Sequence, residues 1–268
     1  MQPENHASTI PQYSLGKILA IWAAAAVPMA ILGWVVAPAL ASGSPTGRQA
    51  FTTRVMALTL GLIWQFVLAM IIVYREEGDL RWKTIRRRLW LNTPQDPKTG
   101  RPRGRLWLWL VPLLILSALW EMALHSPLEN LWVRMFPFFA EPPGFSGREL
   151  LDSPEARAQL VGAWGFLALF AVNALFNTVL GEEFLLRGVL LPKMRGVFGK
   201  WDWLANGVLF GIYHLHQPWG IPGTIVSAAL LESYPARRFC SVWISIIVHS
   251  GQSVFFLLLL LGLVLGLA

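Results

Sequence analysis

The sequence NTVLGEEFLLR, residues 177–187, places two adjacent carboxylates and an arginine at the end of a long apolar run. Ionisable groups at membrane depth are costly, so they tend to mark function and to have a partner inside the same helix bundle. On a helix Glu183 and Arg187 are four residues apart and share a face, which predicts an ion pair. Glu182 is rotated by about 100° and stays outside that pair. A carboxylate without an ion-pair partner beside a paired one is a candidate general base.

The composition of the chain indicates the medium in which such a base would act. Of its 268 residues 55% are hydrophobic and only 14% are charged, and the mean hydropathy is +0.51. These values are typical of an integral membrane protein. The net charge of +7 indicates cytoplasmic loops rich in Lys and Arg rather than a nucleic-acid site, since the setting is aliphatic. The single cysteine, Cys240, excludes an internal disulfide framework.

Hydropathy predicts an all-α polytopic membrane helix bundle with about seven transmembrane helices, or eight if a half-span is present. The predicted spans are 18–40, 55–74, 106–124, a fourth that begins near residue 160 and contains the two glutamates, 203–219, 221–234, and a seventh that begins near residue 240. We expect two parts. Residues 1–158 hold the N-terminal helices, a basic loop at 75–105 and an outer loop at 126–158, and residues 159–268 hold the Glu-Glu stretch.

The basic loop orients the bundle. Residues 75–105 contain ten basic and four acidic side chains, an asymmetry that predicts a cytoplasmic position and a cytoplasmic N-terminus. A bacterial inner (plasma) membrane is the expected location. Within this loop Leu80, Trp82, Ile85 and Leu89 alternate with basic residues, which predicts a helix lying on a surface of anionic lipid headgroups.

Two further polar groups occur in the later spans. His214 follows Phe210 in FGIYHLH, residues 210–216, and His249 precedes Ser253 in VHSGQS, residues 248–253. The order EExxxR, FxxxH, then HxxxN or a close variant, each on its own membrane helix, resembles the CPBP family of intramembrane proteases. That family includes the eukaryotic CAAX-processing (Ras-converting) endopeptidase and many bacterial members. The resemblance covers about residues 160–263, and three short motifs in order are more specific than each alone.

The resemblance implies a proteolytic site and a catalytic core at 159–268. It places the catalytic glutamate at Glu182, its companion at Glu183, the motif arginine at Arg187, and the two histidines at His214 and His249. One position departs from the pattern, because Ser253 stands where the family commonly has Asn. A serine hydroxyl donates a hydrogen bond but is shorter than an amide.

Peptide hydrolysis needs a deprotonated water, a group that stabilises the oxyanion, and a proton for the leaving nitrogen. We expect Glu182 to be the base and His214, His249 and Ser253 to form the oxyanion-stabilising set. This mechanism requires no cofactor. The competing version is a zinc site formed by Glu182, His214 and His249, since two histidines and a carboxylate form a familiar catalytic set. Relatives have been described both as metalloproteases and as glutamate-dependent enzymes.

The expected partner is a protein or peptide substrate that enters from lipid or from the cytoplasm, and no nucleic acid. The alternative function is a catalytically silent CPBP-like immunity, chaperone or regulatory protein, and Ser253 favours it. A transporter would show polar groups spread along the length of several helices, or repeated halves, and neither is found. A further alternative is a Cys240 nucleophile assisted by Arg237, Arg238 and His249.

Two smaller predictions concern other histidines. Glu121 and His125 are four residues apart, but their position near an interface favours plain solvation over an ion pair. His216 is two residues from His214, so on a helix it would point to the other side and lie at an interface.

Overall fold

The computed structural model describes residues 11–43, 47–142, 145 and 154–267. These residues form helices and turns without a strand, apart from one isolated bridge between Gln95 and Pro102. The predicted all-α membrane bundle is confirmed.

Eight helices in the described part of the chain build the bundle. In chain order they are α1 (Leu15–Ala41), α2 (Gly47–Glu77), α3 (Trp82–Arg88), α4 (Gly104–Met135), α5 (Trp164–Lys193), α6 (Asp202–Tyr213), α7 (221–239, the consecutive segments Ile221–Ser227, Ala228–Ser233 and Tyr234–Phe239) and α8 (Val242–Val264). Short helical pieces at Pro137–Phe139, Pro154–Ala158, Arg195–Phe198, Gly199–Trp201 and Pro218–Gly220 connect them.

Five of these helices, α1, α2, α4, α5 and α8, are long and apolar enough to cross a membrane, so the protein is an integral membrane protein. The other two predicted spans, 203–219 and 221–234, correspond to α6 and α7, which are not among the five. Helix α6 has 12 residues, fewer than the roughly 20 that a span needs. It ends at Tyr213 because the chain then turns ahead of Pro218.

The first part of the predicted outer loop, 126–158, is helical, because α4 continues to Met135. Of the rest of that loop, residues 143–144 and 146–153 lie outside the described residues, as do residues 1–10 of the N-terminal part. The predicted surface helix in the basic loop is α3. Trp82 is exposed as expected, but Leu89 is fully buried and packs in the core.

The main core draws on both parts of the chain. Ile18 and Met29 of α1, Leu62 of α2 and Leu185 of α5 are buried in one cluster with Phe210 of α6. The helices with the two glutamates and the first histidine are therefore held by the N-terminal helices as well as by each other.

One end of the bundle, called the basic end below, carries the loops at 78–103, 194–201 and 239–241. Its centre is Glu76, whose carboxylate accepts from Lys17 at 3.0 Å, Arg88 at 2.9 Å and Lys193 at 2.8 Å. The Tyr13 hydroxyl donates to the same carboxylate at 2.5 Å. This cluster joins the ends of α1, α2, α3 and α5.

Two glycines permit close helix contacts beside the polar residues. A Cβ atom on Gly181 would lie 2.7 Å from the carbonyl oxygen of Leu62, so the glycine lets α5 approach α2 one residue before Glu182. A Cβ on Gly207 would lie 2.5 Å from the Cα of Ala229, where α6 crosses α7. Small residues at such crossings are the usual means of packing membrane helices.

Candidate active site

The Glu-Glu stretch is wound more widely than an ordinary helix. Helix α5 is α-helical over Trp164–Leu175 and then π-helical over Phe176–Gly181 and Glu183–Leu190. Short π-helical segments occur frequently at functional sites. Both glutamates face the interior of the bundle, with exposed fractions of 2% for Glu182 and 0% for Glu183.

Glu183 has three polar partners, since it forms an ion pair with Arg187 and accepts hydrogen bonds from His249 and Ser245. The Arg187 Nη1 atom lies 3.0 Å from Glu183 Oε1, which confirms the predicted ion pair. The His249 Nδ1 atom lies 3.0 Å from the same oxygen, and the Ser245 hydroxyl donates to the other one. Glu183 is therefore fully engaged as an acceptor between α5 and α8.

Arg187 joins this network to α6 and α7. Its side chain is fully buried, it forms a second ion pair with Glu232 of α7, and its Cζ atom lies 3.9 Å from the centroid of the Phe210 ring. A buried cation is tolerated when paired in this way. The motif arginine is thus a structural centre of the site rather than a group that faces a substrate.

Glu182 forms no salt bridge with any described residue and is hydrogen-bonded by neutral groups. With its nitrogen turned towards the carboxylate, the amide of Asn177 donates to both Glu182 oxygens at 3.1 Å. The Tyr213 hydroxyl is within hydrogen-bonding reach of Glu182 and accepts from Gln65 Nε2 at 2.7 Å. The prediction that Glu182 stays outside the ion pair is right, but the carboxylate is held in place rather than loose.

His214 comes directly after the last residue of α6, not within a helix. Its Nδ1 atom lies 2.9 Å from the Phe210 carbonyl oxygen, and a carbonyl accepts only from a nitrogen that carries hydrogen. Nε2 of the neutral ring is therefore an acceptor. The ring packs edge-on against Phe210 with centroids 4.7 Å apart, and His249 lies on the same phenyl ring at 6.0 Å. Phe210 thus separates the two motif histidines.

His216 does not lie on the opposite side from His214. Their rings are stacked, 5.3 Å apart and inclined by 27°, and His216 is buried. The prediction was wrong because α6 has already ended at Tyr213, so helical geometry does not apply to residues 214–216.

Ser253 lies on α8 one turn beyond His249 and is half-buried. Within the described part of the chain its hydroxyl makes no hydrogen bond to Glu182, His214 or His249. The serine that joins the network is Ser245, one turn before His249.

Sequence reasoning missed several residues that complete the network: Tyr213, Ser245, Glu232, Asn206 and Ser233. Ser245 was detectable, because its spacing of four from His249 puts both on one helical face. Asn206 Nδ2 donates to the Leu186 carbonyl at 2.8 Å, and Asn206 Oδ1 accepts from the Ser233 hydroxyl at 2.8 Å. Nothing local in the sequence pairs α6 with α5 and α7 in this way.

The expected zinc ligands do not converge. Among the described residues, the group whose ligand atoms lie within 4.8 Å of one another is Glu183, Glu232 and His249, without Glu182 or His214. The Arg187 guanidinium already contacts both carboxylates of that group, so a metal ion would have to displace a buried cation. The residues as arranged therefore do not fit a zinc site.

Two other expectations are also decided by geometry. Burial raises the pKa of the Cys240 thiol, which opposes formation of a thiolate, and His249 is engaged by Glu183 rather than by Cys240. Of the two arginines near it, Arg237 is paired with Asp202 at 2.6 Å. His125 and Glu121 do form a pair, with Nδ1 and Oε2 3.5 Å apart, so solvation alone was the wrong expectation.

A cavity of about 430 Å³ lies beside His214. Its apolar wall comes from α5 and α8 through Phe166, Phe170, Phe256, Leu259 and Leu260. The facing wall is more polar, with His125 and Glu129 of α4 together with Gln217 and Thr224. An apolar cavity with a few convergent polar groups is typical of a ligand site.

The comparisons with known proteins agree with the motifs. Residues 163–255 match the family model described as type II CAAX prenyl endopeptidase, Rce1-like. The matched range contains all six predicted site residues, Glu182, Glu183, Arg187, His214, His249 and Ser253. Comparison with curated proteins gave no match, and neither did comparison with solved structures. The match over residues 163–255 supports a CPBP family intramembrane protease and, at family level, an intramembrane CAAX-type endopeptidase.

Proposed function

We propose that this chain hydrolyses a peptide bond within the membrane with a water molecule activated by Glu182. The observation that carries the proposal is the contrast between the two adjacent carboxylates. Glu183 is bonded to Arg187, His249 and Ser245, whereas Glu182 is buried and receives hydrogen bonds from neutral groups alone. Glu182 is therefore the carboxylate that can accept a proton without breaking a buried ion pair.

The tautomer of His214 refines its role. Because Nδ1–H is used by the Phe210 carbonyl, Nε2 accepts a hydrogen bond from the attacking water more readily than it donates one to an oxyanion. His214 thus joins Glu182 in orienting the water. His249 is the proposed oxyanion donor, because its Nδ1 contacts the Glu183 carboxylate and the Nε2–H of the protonated ring is left available.

The proposed hydrolysis begins with attack by the activated water. The water oxygen bonds to the scissile carbonyl carbon as its proton passes to Glu182, and the carbonyl oxygen becomes an oxyanion that accepts from His249. When the C–N bond breaks, the proton held by Glu182 passes to the leaving amine, and the carboxylate is restored. Zinc remains the competing proposal for this family, but the arrangement of Arg187 between Glu183 and Glu232 does not favour it.

The test compares protein termini in membrane and secreted fractions by mass spectrometry, with the native chain and with Glu182→Gln at equal abundance. We expect particular termini to fall by at least about 100-fold in Glu182→Gln, the usual contribution of a general base. The matched control is Glu77→Gln, the same carboxylate-to-amide change in a pair with Arg87 at the basic end. Unchanged termini in Glu182→Gln would refute the proposed chemistry.

The second candidate is a catalytically silent membrane regulator or immunity protein. It is favoured by Ser253, which makes no hydrogen bond to the other site residues in the described structure. This candidate requires that Glu182→Gln rescue the phenotype of deleting the gene as well as the native chain does. The protease proposal requires that it fail to do so.

A further inference from the structure

The cavity beside His214 lies at the end of the bundle opposite the basic end. Helix α8 begins at Val242, whose amide donates to the Trp90 carbonyl of the basic end. Leu259 and Leu260 of the same helix line the cavity 17 and 18 residues later, roughly 26 Å along the axis. Helix α2 gives the same position for the cavity. Its last residue, Glu77, lies at the basic end, and Phe51, near its first residue, lines the cavity.

The distribution of charge places the two ends of the bundle on different sides of the membrane. The basic end carries the loop 75–105, Lys193 and Arg195, together with Arg237 and Arg238 after α7. An excess of Lys and Arg in short loops marks the cytoplasmic side. The cavity, at the opposite end, therefore lies towards the extracytoplasmic side. The sequence alone predicts that the substrate enters from lipid or from the cytoplasm, because the depth of each site residue is then counted along predicted spans.

We propose that the substrate is a peptide segment of an exported or membrane-anchored protein that reaches His214 from the extracytoplasmic side, not a cytoplasmic C-terminus. The cleavage itself rests on the function proposed above. The direction of access rests on the position of the cavity and on the distribution of charge, which are independent of the catalytic mechanism.

The cavity walls indicate what such a segment would carry. Phe166, Phe170 and Phe256 offer aromatic contact to apolar side chains. On the facing wall Glu129 is half-buried and forms no ion pair with a described residue, whereas Glu141 interacts electrostatically with Arg54. Glu129 is thus the carboxylate available to a basic side chain. The structure assigns the site an apolar segment flanked by Lys or Arg.

Access is tested with single cysteines in a Cys240→Ser background and a membrane-impermeant maleimide. Glu129→Cys reports on the cavity, Ala140→Cys on the exposed loop at the same end, and Thr99→Cys on the exposed loop of the basic end. We expect the maleimide to label the first two in right-side-out spheroplasts and Thr99→Cys in inside-out vesicles alone. The reverse pattern would overturn the proposal and leave the protease chemistry intact. Ala140→Cys keeps the test decisive if Glu129→Cys fails to fold.

The substrate class is tested on the termini that disappear in Glu182→Gln. We expect them to map to the extracytoplasmic side, next to an apolar segment with a basic flank, and Glu129→Gln to reduce their yield several-fold with unchanged protein abundance. Termini that map to the cytoplasm would refute the inference. If no termini depend on Glu182 while the labelling pattern is as expected, the proposed function has failed and the direction of access stands.

Discussion

Glu182 and Glu183 are neighbours in the sequence, yet they have opposite surroundings. One carboxylate is bonded by an arginine, a histidine and a serine, and the other by an amide and a phenol. The π-helical winding of this part of α5 brings both into the interior. The different surroundings of the adjacent carboxylates follow from their partners, which lie on α5, α6 and α8.

The first prediction concerns Arg187. Arg187→Met leaves Glu183 and Glu232 buried without their shared cation, so we expect a loss of about 3–5 kcal/mol in the free energy of unfolding. The measurement is thermal or denaturant unfolding in detergent. Arg81→Met is the control, because Arg81 pairs with Asp79 at the surface, and it should change stability little. Equal stability of both variants would contradict the buried network.

The second prediction concerns Ser253. Because its hydroxyl bonds none of Glu182, His214 and His249, we expect Ser253→Ala to lower the rate of substrate cleavage by less than about tenfold. Removal of a working oxyanion donor typically costs 10²-fold or more. Ser253→Asn restores the residue common in the family and is expected to raise the rate. A 100-fold loss in Ser253→Ala would mean that the hydroxyl turns into the site when substrate binds.

At the scale of the elements, the turn that carries His214 is held from the N-terminal helices. Residues 214–218 have left helix α6, so their carbonyl groups need other donors. Trp34 Nε1 of α1 donates to Leu215 O at 2.7 Å, Arg54 Nη2 of α2 to His216 O at 2.8 Å, and Trp132 Nε1 of α4 to Pro218 O at 3.0 Å. Three helices outside the family match therefore position a residue inside it.

The third prediction tests these donors. Trp34→Phe and Trp132→Phe each remove one N–H group and keep an aromatic ring, so each should lower the cleavage rate by about fivefold, equivalent to one hydrogen bond of about 1 kcal/mol. Trp64→Phe is the matched control, since Trp64 Nε1 donates to Ala24 O of α1 and does not contact the turn. The cleavage rates are compared between variants that have the same melting temperature. A similar loss in Trp64→Phe would show a general effect of indole removal.

At the scale of the whole molecule, one carboxylate, that of Glu76, links separate segments of the chain at the basic end. Glu76 accepts from Lys17, Arg88 and Lys193, which belong to three segments far apart in the chain. Without this anion the three cations would repel one another across the ends of α1, α3 and α5. The cluster also fixes α5 at the end that follows the Glu-Glu stretch.

The fourth prediction concerns Glu76. We expect Glu76→Gln to lower the free energy of unfolding by about 1–3 kcal/mol, because a partly buried charged hydrogen-bond acceptor is lost. Glu77→Gln, which removes the adjacent carboxylate and its pair with Arg87, should have a smaller effect. Both are measured by thermal unfolding in the same detergent. Equal shifts would indicate that the Glu76 cluster adds no more than a surface pair.

The sequence by itself determined that the protein is a helical membrane protein and that Glu183 pairs with Arg187, and it predicted which motif residues form the site. These conclusions depend on local properties, namely apolar runs, charge asymmetry and the spacing of residues along one helix. They need no knowledge of which helices meet.

Only the tertiary structure decided the rest. The end of α6 before His214, the pairing of Glu232 with Arg187, the donors on Trp34, Arg54 and Trp132, and the cavity opposite the basic end all join residues far apart in the chain. Inside a membrane the hydrophobic effect does not choose helix partners, because lipid is as apolar as the side chains. The choice depends on close packing and on satisfying buried polar groups, and both are properties of the assembled bundle.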